Sequence, residues 1–163
     1  MLAILFKPAA ATAPPPGPLV LRTRVSARDT VMGLFKAAWD LDPVAMLIPV
    51  FYQGVKRTPQ TDDLQAYVVV SIVHLTGGQS SLPGALGTST YRRQAVFSAQ
   101  LNTVGGDGLT TSDSLVKVLQ DIFEGAIAFE DIWFSNARFS EIGQDGDRFQ
   151  TNFLVDFEYD EIK

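Results

Sequence analysis

Between Arg148 and Ile162 the chain reads RFQTNFLVDFEYDEI and alternates residue by residue. Phe149, Thr151, Phe153, Val155, Phe157 and Tyr159 share one parity, and Gln150, Asn152, Asp156 and Glu158 share the other, with Leu154 the apolar exception. Successive side chains of a strand point to opposite faces. The pattern therefore predicts one long strand with a packed face and a solvated, acidic face. A strand of this kind demands a sheet around it and a second layer over its apolar side.

The rest of the chain supplies both. Ser26 caps a predicted helix that runs to about Asp40, with Asp29 three residues on, as a capping box requires. Val31, Leu34, Phe35, Ala38 and Trp39 form its apolar stripe. Residues 48–52 read as a short strand whose Pro49 suits an edge or a strand start. Residues 53–65 are polar and read as a loop. Residues 66–75, AYVVVSIVHL, are apolar on both parities, which predicts a central strand or one covered on its second face by a helix or another subunit. Residues 76–90, TGGQSSLPGALGTST, form a long glycine-rich connection expected to order only against a neighbour. Residues 91–101 form another strand, with Ala95, Phe97, Ala99 and Leu101 on one face. Glycines 105, 106 and 108 mark a turn. Thr111 or Ser112 caps a second helix whose stripe is Leu115, Val118, Leu119, Ile122 and Phe123, with Gly125 just past its end. Residues 131–142 are a strand, and Asp145-Gly146 signals a tight hairpin into the final one. The expected fold class is α+β: a mixed or antiparallel twisted sheet with two helices packed on one face.

The ends of the chain divide differently. Residues 1–21 read as an N-terminal arm with a Pro-rich linker, Pro14, Pro15, Pro16 and Pro18 stiffening it, and residues 22–163 as a single domain. The apolar run 1–6 is too short for a signal-peptide core and has no basic stretch before it. No run reaches the roughly 20 apolar residues of a membrane span.

Composition points to assembly rather than chemistry. Apolar residues make up 46% and charged residues 19%, below the roughly 25% charged share of ordinary domains. The surplus suits subunit interfaces as well as a core. The net charge of −5 opposes non-specific binding to phosphate backbones. With no cysteine, disulfides, thiolate metal sites and thiol nucleophiles are excluded. His74 is the sole histidine and sits near the end of an apolar strand. Ser80 and Ser81 lie in the adjacent loop, too loose to orient a nucleophile, so His74 is read as structural. The glycine clusters lack a phosphate-binding lysine pattern. Asp156, Glu158 and Asp160 project from one strand face, roughly 7 Å apart, too far to chelate one ion unaided. Arg22, Arg24, Arg28, Arg92 and Arg93 occur in small groups without the interleaved aromatics that stack bases. Catalytic, cofactor and metal residues are thus expected to be none.

Several segments resemble a family of phage tail terminator-like proteins: RTRVSARDTVMGLFKAAWD from Arg22, IPVFYQG from Ile48, the glycine-rich loop ending in YRRQAVFSAQL, SDSLVKVLQDIFEG from Ser112, and FSNARFSEIGQDGDRFQTNFLVDFEYDE from Phe134. The resemblance spans most of the chain after Leu21. It implies a structural subunit of a long-tailed phage, assembled in the host cytoplasm and carried in the virion. Its partners would be further copies in a six-membered ring, the tail tube protein and head–tail connector proteins, with DNA passing through the lumen without specific binding. In that setting the glycine-rich connection becomes the candidate axial contact: Thr76, Gly77, Gly78, Gln79, Ser80, Ser81, Leu82, Pro83 and Gly84, with Arg92 and Arg93 beside it. Residues 53–65 form a second candidate contact. Asp156, Glu158 and Asp160 become the candidate acidic lining of the lumen. Another neck component, a tail-tube subunit, a monomeric binding module and an enzyme built on His74 are the competing readings.

Overall fold

The structure, a computed structural model, describes residues 22–55, 66–80, 89–104, 109–126, 128–129 and 131–162. The arm (1–21), most of the polar loop (56–65, with Lys56 and Arg57), the part of the glycine-rich connection that holds Ser81, Leu82, Pro83 and Gly84, and the 105–108 turn lie outside the described residues.

Two helices, α1 (Arg24–Trp39) and α2 (Thr110–Gly125), cover one face of a twisted sheet. Its strands are β1 (Val50–Tyr52), β2 (Ala66–His74), β3 (Gly78–Gln79), β4 (Thr90–Val104), β5 (Ala128–Phe129), β6 (Ile132–Asp145) and β7 (Arg148–Ile162). They lie in the order β1-β2-β4-β7-β6-β5, with β3 also paired to β4. Among the described residues only β1–β2 is parallel; the other described pairings are antiparallel. The expected α+β architecture is present, and β7 occupies the bounds its alternation predicts.

The register puts the predicted faces together. Phe153, Val155, Phe157 and Tyr159 of β7 are buried beside Ala95, Phe97, Ala99 and Leu101 of β4 and Val68, Val70 and Ile72 of β2. Ala27, Val31, Phe35 and Trp39 come down from α1 at four-residue spacing, and Leu115, Val116, Leu119 and Phe123 from α2. Rings form a continuous file: Phe35 to Phe97 at 5.4 Å, Phe97 to Phe123 at 4.7 Å, Phe123 to Phe134 at 5.3 Å. Both helices thus meet on Phe97. Ala95 and Ala99 on either side of it leave room for those rings.

Several boundaries differ from expectation. Thr23, not Ser26, is the N-cap of α1: the Ser26 backbone N–H donates to Thr23 Oγ1 at 3.2 Å, and Ser26 Oγ accepts from the Thr23 N–H at 2.8 Å. Serine here fills the role that Glu or Gln usually takes in the reciprocal box, so the helix starts earlier. α2 has no side-chain cap, because its N-cap is Leu109, which carries no polar side chain; Ser112, inside the first turn, turns into the core and shares a 2.9 Å hydrogen bond with Thr151. Gly125 is the last helical residue and Ala126 the C-cap. The glycine-rich connection is not wholly a connection: Gly78 and Gln79 pair with Arg92 and Tyr91, and Ser80 donates its N–H to the Thr90 carbonyl. Between Asp145 and Arg148 the hairpin turns on Gly146, at φ +59°, the left-handed region that glycine adopts without strain.

Candidate assembly surfaces

Residues of the opposite parity form the face of the sheet that neither described helix covers. Here the acidic run of β7 meets its neighbours. Arg92 of β4 pairs with Asp160 at 3.1 Å and approaches Glu158 at 4.0 Å. Gln94 donates to Glu158 at 2.8 Å. Arg138 and Asn136 of β6 donate to Asp156 at 3.0 and 2.7 Å. Arg92 also lies 5.5 Å from the centre of the Trp133 ring. The predicted acidic stripe is therefore a mixed-charge ladder, two arginines against three carboxylates. Alternation along β7 places the carboxylates, and the register against β4 and β6 supplies their partners. Each such exposed pair contributes on the order of 1 kcal/mol or less, so the ladder defines a surface more than it stabilises the fold.

Of the axial candidates, Gly77 is fixed most tightly. A Cβ there would collide with the Arg92 carbonyl and lie 2.9 Å from Arg93 Cα. The close backbone approach that seats β3 against β4 requires glycine. Gly77→Ala is expected to detach residues 78–80 from β4 while leaving the core intact: amide exchange of Gln79 and Ser80 rises sharply and the denaturation midpoint barely moves. Unchanged exchange at those amides would show that the strand accommodates a side chain. Thr76, Gly78, Gln79, Ser80 and Arg92 all sit at this end of β4, and all are exposed. Arg93 points to the helix-bearing side and pairs with Glu161 at 2.8 Å.

His74 ends β2 at the same end of the sheet. Its Nδ1 lies 3.2 Å from the Tyr159 hydroxyl, and its ring packs edge-on against Phe157 and Tyr159. Burial, and then the charges of Arg24 and Arg28, hold its pKa below the ordinary 6.5. The imidazole is therefore neutral at pH 7. Below pH 6.5 the unfolded chain takes up this proton more readily than the folded one, so stability falls as the pH drops through the window beneath 6.5. Because the chain has one histidine, an NMR titration of its imidazole reads this directly. A folded-state value at or above 6.5 would overturn the account.

A cleft of about 570 Å³ opens beside His74. It exists because β1 stops at Tyr52 while β2 continues to His74, so that among the described residues no strand pairs with the outer edge of β2 beyond Val70. Gly54, at φ +83°, turns the chain away. Arg24, Arg28 and Met32 of α1 wall the cleft, with Val73 and Gln53 on its other sides. Arg28 reaches across to the Ile72 carbonyl at 3.4 Å. Arg22 is buried and donates to Thr30 at 2.7 Å, whereas Arg24 and Arg28 line the cleft.

At the far side of the sheet, β5 covers only Ile132 and Trp133 of β6. From Phe134 to Asp145 no further strand flanks β6 among the described residues. Phe139 and Ile142 on this strand are 51% and 55% exposed. Two bulges, at 136–137 and at 142, break its register with β7. Among the described residues no group of three metal-ligating side chains occurs, and no helix is long and apolar enough to cross a membrane.

No family model matches the sequence. No curated protein sequence matches it either. A solved structure whose name describes no function aligns with a TM-score of 0.55 at 14% identity, over 83% of this chain and 95% of that one. At such identity the likeness shows the fold alone.

Proposed function

We propose that the chain is a structural virion protein, a ring-forming tail terminator that caps the tail tube of a long-tailed phage, halts its elongation and gives the head connector a surface to join. The observation that carries this reading is the one-sided layering. Both helices cover one face, while the other face and both sheet edges expose large apolar side chains, among them Val73, Phe139 and Ile142. Surfaces of that kind suit repeated subunit contacts. The resemblance of the segments from Arg22 to Glu161 supplies the kind of assembly.

The physical logic is that of a closed ring. Head-to-tail contacts between identical subunits satisfy every lateral interface once the ring closes. The two axial faces then differ. One matches the tube end, and the other fails to match a further tube subunit, so growth stops. The chain acts by binding rather than by catalysis: His74 serves packing, and its one polar ring contact in the described residues is Tyr159.

Electron microscopy of purified tail tubes with and without the protein tests the reading. Single rings at one tube end, with elongation halted, are the expected result. Long tubes built from this chain alone would make it a tube subunit. Uncapped, growing tubes together with binding to filled heads would move it to another neck position.

A further inference from the structure

Two opposite edges of the sheet are complementary in both apolarity and charge. At one edge, the cleft beside β2 carries Arg24 and Arg28 against a single carboxylate, Asp29, with Val73 half exposed. At the other, β6 and its hairpin carry Glu141, Asp145 and Asp147, all exposed, beside Phe139 and Ile142. These are different surfaces, so pairing them relates copies head to tail rather than by a two-fold axis. The bulges in β6 strengthen the case. An unbroken edge would pair with any other free edge, including that of another β6, whereas a bulged one resists unspecific strand addition and leaves recognition to side chains.

We propose that the β6 edge of one copy docks in the cleft beside β2 of a second copy. Phe139 and Ile142 cover Val73 and its surroundings, and the carboxylates of the β6–β7 hairpin meet Arg24 and Arg28. The identification of the occupant as a second copy rests on the ring reading above; the complementarity of the two surfaces does not.

The absence of cysteine makes the test clean, because introduced thiols are the only ones. The full-length double variant Val73→Cys/Ile142→Cys is treated with a short bismaleimide, free in solution and on tail tubes. A ladder of covalent multimers is expected from the double variant, and none from either single variant. Adding Arg24→Glu and Arg28→Glu lowers the yield roughly tenfold, and Glu141→Arg with Asp145→Arg on the facing edge restores it. All these positions are exposed or line the open cleft, and circular dichroism verifies folding. Dimers from Val73→Cys alone would mean two-fold pairing and would overturn the proposal. Capped tubes without a ladder would also overturn it while leaving the terminator reading intact. A ladder on a protein that never caps tubes would uphold the interface and sink that reading.

Discussion

Phe97→Ala is expected to destabilise the domain by about 3–5 kcal/mol, the range for removing a fully buried phenylalanine. Phe97 is wholly buried and is the residue on which both helices converge, through Phe35 on α1 and Phe123 on α2. Neighbouring Ala95 and Ala99 cannot fill the space it leaves, so most of the cavity persists. Against a total stability of about 5–15 kcal/mol for an ordinary domain, that loss leaves a substantial unfolded population. Urea denaturation followed by tryptophan fluorescence reads it well. Trp39 is buried 5.2 Å from Phe35 and reports on the same cluster, whereas Trp133 is already partly exposed. Phe139→Ala is the control: an exposed ring on β6 shifts monomer stability by less than about 0.5 kcal/mol. A Phe97→Ala loss under about 1 kcal/mol would mean that the helices collapse onto the vacated site.

The contrast between those two phenylalanines marks what the sequence made legible. Alternation placed Phe153, Phe157 and Tyr159 inward, and helical spacing placed Val31, Phe35, Leu119 and Phe123 against them. Each of those side chains is governed by a period within its own segment. Phe139 shows where a period fails. Bulges on either side of it reset the register, and Asn136, at φ +55°, marks the first. The strand β3 was equally hidden, because two residues led by glycine have no side-chain pattern and their pairing depends on Gly77 lying close to the backbone of β4. The surfaces were the least legible. Asp156, Glu158 and Asp160 formed an acidic run in one dimension, but Arg92 and Arg138 arrive from other strands. The cleft beside His74 is built from α1, the end of β1 and the end of β2. It depends on β1 ending at Tyr52 while β2 runs on to His74: the polar segment 53–65 signalled that end, but not that α1 would wall the opening it leaves.

Thr151→Val is expected to cost about 1–3 kcal/mol, although it keeps the side chain's shape. Thr151 interrupts the aromatic and aliphatic face of β7 with a hydroxyl that is 2% exposed, and Ser112 of α2 is equally buried. Their oxygens lie 2.9 Å apart. A buried hydroxyl deprived of its partner incurs its full desolvation penalty. Removing both hydroxyls leaves nothing unsatisfied, so Ser112→Ala/Thr151→Val is predicted to be less destabilised than the two single losses combined. The double-mutant cycle isolates that coupling, which should be on the order of 1 kcal/mol or more. With apolar Leu109 at its N-cap, α2 has no side-chain cap. Ser112 stands where a first-turn hydroxyl could serve the helix's free amides, but it is spent on tying the helix to the sheet. Additive single losses would mean that Ser112 swings back to the helix backbone when Thr151 is gone. In that case the hydroxyl contact would be incidental to how α2 is held over β7.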